Sequence, residues 1–256
     1  MEANVANNNQ DTPQINTTQV STNNLIDSLI IGDFFKKNTY KSFSSSLHYK
    51  WEVDTLGRKF ELVGELFKVK NHDKDNYDSN YFNPSMTLIR NETFRSNVPI
   101  EVNIYTLKAD YEHPFKKKNI FALGTKYSKI TTFNDNVFEI FEDPIFVNDP
   151  NRTNNFKYDE HILAGYIDYT TSIGKYDIEL GLRTEYSKTN GVSETTNQNF
   201  TNEYIDWFPS FHMSSPLGKK SNHSLSFSYT RKIDRPNYSD LNPFQYFIDP
   251  FTSINR

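Results

Sequence analysis

The feature of this sequence that most restricts its fold is an alternation of apolar and polar residues over segments of roughly ten residues or more. From Tyr176 to Tyr186, one set of alternate positions is apolar with aromatic ends, and the other set is mostly charged. Successive side chains of a β-strand point to opposite faces, so the pattern predicts a strand with one apolar and one polar face. The strand would be about 33 Å long, and with a tilt of about 40° it would span roughly 25 Å. That is about the height of the apolar band of an outer-membrane barrel.

Eight segments show this alternation, and we interpret each as a strand. Strands of soluble proteins usually have about five or six residues, whereas membrane strands need about nine to eleven. The lengths therefore favour an all-β, antiparallel up-and-down transmembrane barrel section. In one segment, 59–70, both faces carry apolar residues, so its orientation stays open. The predicted strands are residues 42–53, 59–70, 101–113, 119–130, 160–173, 176–187, 204–214 and 223–231.

The connections between these strands alternate between short and long. The short ones contain Gly or Pro and are typical of hairpin turns, whereas the long ones are rich in Asn, Asp, Thr and Tyr. This alternation predicts short periplasmic turns at one rim and long extracellular loops at the other, as in outer-membrane barrels. The short connections are 54–58, 114–118, 174–175 and 216–220, and the predicted long loops are 71–100, 131–159 and 189–203.

Composition neither requires nor excludes a membrane protein. The 256 residues are 36% hydrophobic, and the mean hydropathy is −0.73, as in many soluble proteins. Half of each barrel strand faces water, however, so this value is compatible with a barrel. The net charge of −4 argues against a nucleic-acid partner, and the absence of cysteine excludes disulfides and thiolate metal sites. No apolar run of 18 residues predicts a transmembrane helix.

The N-terminal part of the chain is polar and is expected to lie outside the barrel. Residues 1–41 are interpreted as an Asn/Thr-rich segment or extracellular loop, including 25–34, and residues 42–256 as a partial barrel domain. Residues 1–24 lack the basic start and apolar centre of a signal peptide, so we expect the export signal on sequence outside this chain. If the short turns are periplasmic, both chain ends lie at the other rim. The chain is then expected to be a section of a larger barrel.

Several short stretches resemble a known family. They are Gly181–Tyr186, Trp207–Ser210, Ser226–Pro236, Tyr238–Phe244, Asp249–Pro250 and the turn Asp54–Lys59. Together they are similar to the barrels of TonB-dependent outer-membrane receptors of the Bacteroidota type, the outer membrane protein beta-barrel family. The resemblance covers about residues 40–256, and its most specific part is Arg235–Pro236 followed by Leu241–Phe244.

The resemblance implies a function in transport. Such receptors have a 22-stranded barrel and a plug that engages TonB, and they take up siderophores, glycans or peptides across the outer membrane of Gram-negative cells. The implied partners are outer-membrane lipid, a small solute and the TonB system, which would act through a plug absent from this chain. The alternative that stays open is a soluble or surface β-sandwich that binds carbohydrate. In that fold the apolar faces would pack on a second sheet.

The two faces of the predicted strands supply most of the candidate residues. We expect the polar side chains of the strand that begins at Tyr176 to face the lumen as wall charges that contact water or a plug. The aromatic residues at the ends of apolar faces are expected to form a lipid-facing girdle. The lumen-facing candidates are Asp177, Glu179, Arg183 and Glu185, and the girdle candidates are Tyr176, Tyr186, Trp207 and Tyr229.

Ligand-binding candidates come from the predicted loops. Tyr77 and Tyr81 could stack on sugars or siderophores, or could instead anchor a loop over the barrel mouth. Arg235, Tyr238 and Asn242 lie in a Pro-rich stretch that predicts a fixed structural loop, with ligand contact as the alternative.

No pattern in the sequence predicts an enzyme, a cofactor or a metal site. The acidic stretch 73–78 lacks the glycine and the later glutamate of an EF-hand loop. Glu160 and His161 are neighbours that point to opposite faces, so we expect a solvated strand start rather than a metal cluster. Pro209 lies within a predicted strand and cannot donate a ladder hydrogen bond, so we expect a β-bulge there.

Overall fold

The computed structural model describes residues 1–23, 25–116, 118–218 and 223–235, together with the backbone of 246–249 and 252–254. All regular structure in these residues is β-strand. Among them, no helix has the length and apolar character that crossing a membrane would require. The strands are β1 (Glu2–Thr22), β2 (Leu25–Glu52), β3 (Lys59–Phe82), β4 (Leu88–Lys116), β5 (Asn119–Glu142), β6 (Ile145–Asn148), β7 (Asn154–Ile173), β8 (Tyr176–Ser193), β9 (Gln198–Leu217), β10 (His223–Thr230), β11 (Tyr246–Asp249) and β12 (Thr252–Ile254).

Strands β1 to β10 form one 10-stranded antiparallel sheet. Neighbours in the sheet follow one another along the chain, except that β5 pairs with β7 while the short strand β6 folds back on the end of β5. Strands β11 and β12 form a separate hairpin. Each of the eight predicted segments lies within an observed strand, apart from the final residues Val53 and Arg231, although most of the observed strands are longer. The prediction of an all-β up-and-down fold is confirmed.

The strand register places the apolar residues of successive strands on one face, because directly paired residues of neighbouring strands point to the same side. Leu163 pairs with Tyr186, which pairs with Ile205 on its other side. Phe60 pairs with Trp51 and Tyr111, which settles the orientation of 59–70. We call this side the apolar face and the opposite side the polar face. Exposed members of the apolar face are Leu47, Tyr49, Trp51, Leu62, Tyr105, Leu107, Leu123, Tyr127, Leu163, Ile167, Leu180, Leu182, Ile205, Trp207, Leu225, Phe227 and Tyr229.

The prediction of long loops is wrong. Paired strands continue through most of 71–100, 131–159 and 189–203, and the connections at that rim are short. The polar residues there pair across strands; Arg95, for example, forms a two-point ion pair with Glu139 at 2.5 and 3.1 Å. Strand formation depends on pairing and packing with the neighbouring strand. The loop-like composition of these segments therefore did not predict their structure. The connections are 83–87, 143–144, 149–153 and 194–197.

The expectation of a loop at residues 25–34 is also wrong, since these residues belong to β2. The first 41 residues form β1 and the beginning of β2, and the expected boundary at 41/42 falls inside a continuous strand. Glu2 pairs with Ser46, and β1 then runs to the rim where it joins β2. The expectation that both ends of the chain lie at this rim is therefore wrong for the N-terminal end.

Pro209 does not form a bulge. The ladder between β8 and β9 runs without a register shift through Leu182 and Pro209. The carbonyl of Pro209 points toward β10 and accepts a hydrogen bond from the Arg231 N–H at 3.2 Å, just beyond the end of β10. In an antiparallel ladder the N–H and C=O of one residue point to the same side. The backbone position at which Pro209 lacks an N–H group therefore faces the end of β10. The hydrogen bonds between β9 and β8 are not affected by this proline.

Aromatic side chains fill the polar face near the rim at which β3 joins β4. The Tyr77 ring stacks on Phe94 at 4.4 Å between centroids, and Phe34 and Phe138 flank this pair at 5.0 Å each. All four are buried. We call Phe34, Tyr77, Phe94 and Phe138 the aromatic ladder. It crosses β2 to β5 and forms a small apolar core where the sequence of these strands is otherwise polar.

The turn between β2 and β3 is built around one carboxylate. Oδ1 of Asp54 accepts hydrogen bonds from the N–H groups of Leu56 (3.1 Å) and Arg58 (3.2 Å), and the Arg58 side chain donates to Oδ2 at 2.5 Å. Gly57 has a φ of 90°, which favours glycine. The hydrogen bond from the Arg58 side chain lowers the pKa of Asp54 below its ordinary value.

We expect this turn to loosen in acid. Because the folded-state pKa of Asp54 is lowered, its contribution to stability is present above the unfolded value of about 3.9 and is lost as the pH falls through the folded value. Hydrogen-exchange protection of the Leu56 and Arg58 amides should therefore decrease at acidic pH. The Asp54→Asn variant should lack this pH dependence. Protection that stays constant down to about pH 2 would contradict the assignment.

Candidate functional site

A short segment after β10 folds over the polar face of the sheet. We call residues 231–235 the strap. Its start is held by Arg231, whose guanidinium donates to the Trp207 carbonyl at 2.7 Å and to the Asp206 carboxylate at 3.0 Å. The alternation along β9 places Asp206 on the polar face, so the strap is tied to β9 before it crosses toward β8.

At the end of the strap, Arg235 lies between two buried carboxylates. Its Nη2 donates to Glu185 Oε2 at 2.7 Å and to Ser187 Oγ at 3.0 Å, and its Nε lies 3.6 Å from Glu160 Oε1. Glu160 and Glu185 are only 4% and 8% exposed. Burial of two carboxylates is costly unless a cation lies between them, so the guanidinium stabilises both.

A cavity of about 440 Å³ lies between the strap and the sheet. Its walls combine aromatic and charged groups. Arg183 donates to Glu185 Oε1 at 2.6 Å, whereas no ion pair of Asp168 is present among the described residues. The cavity can therefore hold a small polar solute between aromatic rings and charges. The lining includes Tyr166, Asp168, Arg183, Glu185, Phe208 and Arg235.

The aromatic wall of the cavity depends on a glycine in a neighbouring strand. Tyr166 lies across Gly124 and donates its hydroxyl hydrogen to Asp110, which also pairs with Lys108 at 2.7 Å. A methyl group at position 124 would lie 2.5 Å from the Tyr166 ring. Gly124 is thus required for the close approach of the ring to the backbone.

We expect Gly124→Ala to destabilise the protein by about 1–3 kcal/mol, because the Tyr166 ring must move off its rotamer. The added methyl group would also pull Tyr166 away from Asp110. Gly165→Ala is the matched control, since a methyl group there meets nothing within 4 Å. Urea unfolding of the two variants measures the difference, and equal midpoints would contradict the proposed contact.

The four residues predicted to face the lumen share the polar face, but only two of them contribute to the site. Arg183 and Glu185 line the cavity, whereas Glu179 is exposed nearer the β7–β8 turn. Asp177 accepts a hydrogen bond from Ser172 at 2.5 Å. Their role as lumen-lining charges stays a prediction. The girdle candidates Tyr176, Tyr186, Trp207 and Tyr229 are all exposed on the apolar face.

The ligand-binding candidates are spread over different places. Arg235 belongs to the site, and Tyr238 and Asn242 lie outside the described residues. Tyr77 is buried in the aromatic ladder. Tyr81 donates to Glu92 at 2.6 Å and has the Arg90 guanidinium 4.1 Å from its ring centroid. Burial and the hydrogen bond to Glu92 raise the pKa of Tyr81 to about 12.

Sequence analysis missed several contributors to the site, including Asp110, Glu160, Tyr166, Asp168 and Phe208. The expectation of a solvated strand start is wrong for Glu160, which is buried beneath Arg235. The alternation in β7 could have indicated the contributors from this strand, because its even-numbered positions lie on the same face of the sheet as Glu185. His161 points to the other face, where its Nδ1 lies 2.8 Å from the Tyr127 hydroxyl. In the part of the chain that the structure describes, no group of acidic or histidine residues could hold a metal.

The fold defines a class of membrane protein. One up-and-down antiparallel sheet carries long strands, an exposed apolar face and a polar face with buried charges, which is the construction of an outer-membrane barrel wall. Residues 51–255 match the family described as the outer membrane protein beta-barrel family. The chain belongs to this family and is a protein of the Gram-negative outer membrane.

Comparison with solved structures finds similarity to the ferric citrate transporter FecA in its unliganded form. The TM-score is 0.40 at 10% sequence identity, and the match covers 75% of this chain and 34% of the transporter. The chain thus spans about a third of the length of that protein. No curated protein sequence matches the chain significantly.

Proposed function

We propose that the chain forms part of the barrel of a TonB-dependent receptor, which takes up a scarce solute such as a siderophore, glycan or peptide across the outer membrane. The observation that carries this proposal is the two-sided sheet of a member of the outer-membrane barrel family. The apolar face would contact lipid, with aromatic residues at its borders, and the polar face would line the lumen. The Arg235–Pro236 stretch, which resembles sequences of this receptor family, supports the energised-receptor type.

A carbohydrate-binding sandwich is the less favoured function. In a sandwich, the apolar face would pack on a second sheet. Among the described residues no second sheet covers this face, and its large side chains are exposed. The polar face, by contrast, carries the strap and the cavity.

Growth experiments in the native host test the transport proposal. A strain that lacks the gene for this chain and a strain that lacks TonB would be compared on a panel of siderophores, glycans and peptides, each supplied as the only source of iron or carbon. We expect at least one source that neither strain can use, with growth restored when the missing gene is returned. If the deletion strain uses every source that requires TonB, the proposal is refuted.

A further inference from the structure

Glu160 is a buried carboxyl group with one imperfect cationic partner. Glu160 is 4% exposed, and within the described ranges it accepts no hydrogen bond and has Arg235 as its only ion-pair partner. That partner is imperfect, because Nε of Arg235 lies 3.6 Å away and makes no hydrogen bond among the described residues. A buried carboxylate without a paired cation is strongly unfavourable.

Two of the three other cations that line the cavity are already engaged, whereas the third, Lys232, lies on the strap itself and forms no ion pair among the described residues. Arg183 is bonded to Glu185, and Arg231 is bonded to Asp206. If Arg235 left, Glu160 would have no partner in the described part of the chain, and Glu185 would lose one of its two cations. The site would then hold an excess of negative charge beside Asp168 on the cavity wall.

We propose that Glu160 and Glu185 form a binding site for a guanidinium group of a solute, and that Arg235 fills this site from within the chain until the solute displaces it. The inference rests on the proposed function, since it assumes that solutes reach the polar face. A guanidinium is favoured over an ammonium because its planar fork of donors can contact both carboxylates together. An arginine-containing peptide fits a cavity of about 440 Å³.

Binding and movement of the strap are then coupled. Departure of the strap separates Glu160 and Glu185 from Arg235, so these groups must then be hydrated, protonated or paired with a second cation. A guanidinium solute supplies that cation, so the solute and Arg235 exchange places. Solute binding thereby releases the strap from the polar face while Arg231 keeps its anchor on β9.

Binding to the purified native protein in detergent tests the site. The probes are glycyl-arginyl-glycine and its neutral citrulline analogue, measured by calorimetry. We expect the arginine peptide to bind at least about tenfold more tightly, since a hydrogen-bonded charge contributes roughly that factor. Arg235→Ala should raise its affinity about tenfold or more, because the competing side chain is gone. Arg95→Ala, which removes an arginine–glutamate pair elsewhere in the sheet, should leave the affinity unchanged.

Movement of the strap supplies a second measurement, which leaves Arg235 and both carboxylates unchanged. The chain has no cysteine, so Ile233→Cys accepts a single spin label on the strap. The arginine peptide should increase the mobility of this label, and the citrulline peptide should not. Equal affinity for the two peptides would overturn the inference, as would a label that stays immobile when the arginine peptide is bound.

The transport proposal and the guanidinium-site proposal can be refuted independently of each other. Peptide binding in detergent needs neither an energy source nor a membrane, so intact binding without TonB-dependent growth would refute only the transport proposal. TonB-dependent growth on another solute without any binding of the arginine peptide would refute only the guanidinium site.

Discussion

Leu180→Arg is expected to lower the free energy of unfolding by about 2–4 kcal/mol, the cost of a cation near the middle of the lipid-facing band of a barrel. Leu180 lies near the centre of the apolar positions of β8, between Tyr169 and Phe211 of the neighbouring strands. It is already 48% exposed. If water covered this face, the same substitution would change stability by no more than about 0.5 kcal/mol. The size of the change in the free energy of unfolding therefore shows whether lipid or water contacts the apolar face.

The adjacent residue provides the control. Glu179 is exposed on the polar face, and Glu179→Arg adds the same side chain one position away. We expect a change within about 0.5 kcal/mol for this variant, because a polar face tolerates either sign of charge. Urea unfolding of the native protein in phospholipid vesicles, followed by tryptophan fluorescence, measures both. Equal effects of the two substitutions would show that lipid does not contact the apolar face.

Phe94→Ala is expected to destabilise the protein by about 3–5 kcal/mol, the usual cost of removing a buried aromatic side chain. Phe94 is 5% exposed and lies between Tyr77 at 4.4 Å and Phe138 at 5.0 Å. Its truncation leaves a gap in the centre of the aromatic ladder. The variant also tests the extension of β3, β4 and β5 beyond the apolar band, since the same substitution in a long loop would change stability by only about 0.5 kcal/mol.

Phe141→Ala is the matched control for this substitution. Phe141 lies near the end of β5, is 40% exposed and contacts Phe146 at 5.2 Å between centroids. We expect it to cost less than about 1 kcal/mol, because little apolar area is lost from water. The same vesicle-based urea titration compares the two variants, and similar midpoints would remove the aromatic ladder as a source of stability.

The expectations from sequence differ from the structure mainly in the polar segments that were predicted as loops and that form strands. Asn, Asp and Thr in 71–100 indicated loops, yet these residues are paired, as with the Asn38 amide that donates to Asn71 at 2.8 Å. A strand exists when its backbone groups find partners, and those partners belong to a segment distant in sequence. Local composition carries no information about that partner.

The sequence by itself determined the strand faces, the positions of the short turns at one rim and the family. Side-chain direction in a strand is a local property with a period of two, so alternation alone assigns Tyr176 and Asp177 to opposite faces. The tertiary structure alone decided which polar groups meet. Arg235 reaches Glu185 across 50 positions of the chain and Glu160 across a further strand. That juxtaposition depends on the register of three strands and the direction of the strap, which are set by pairing energies between segments far apart in sequence.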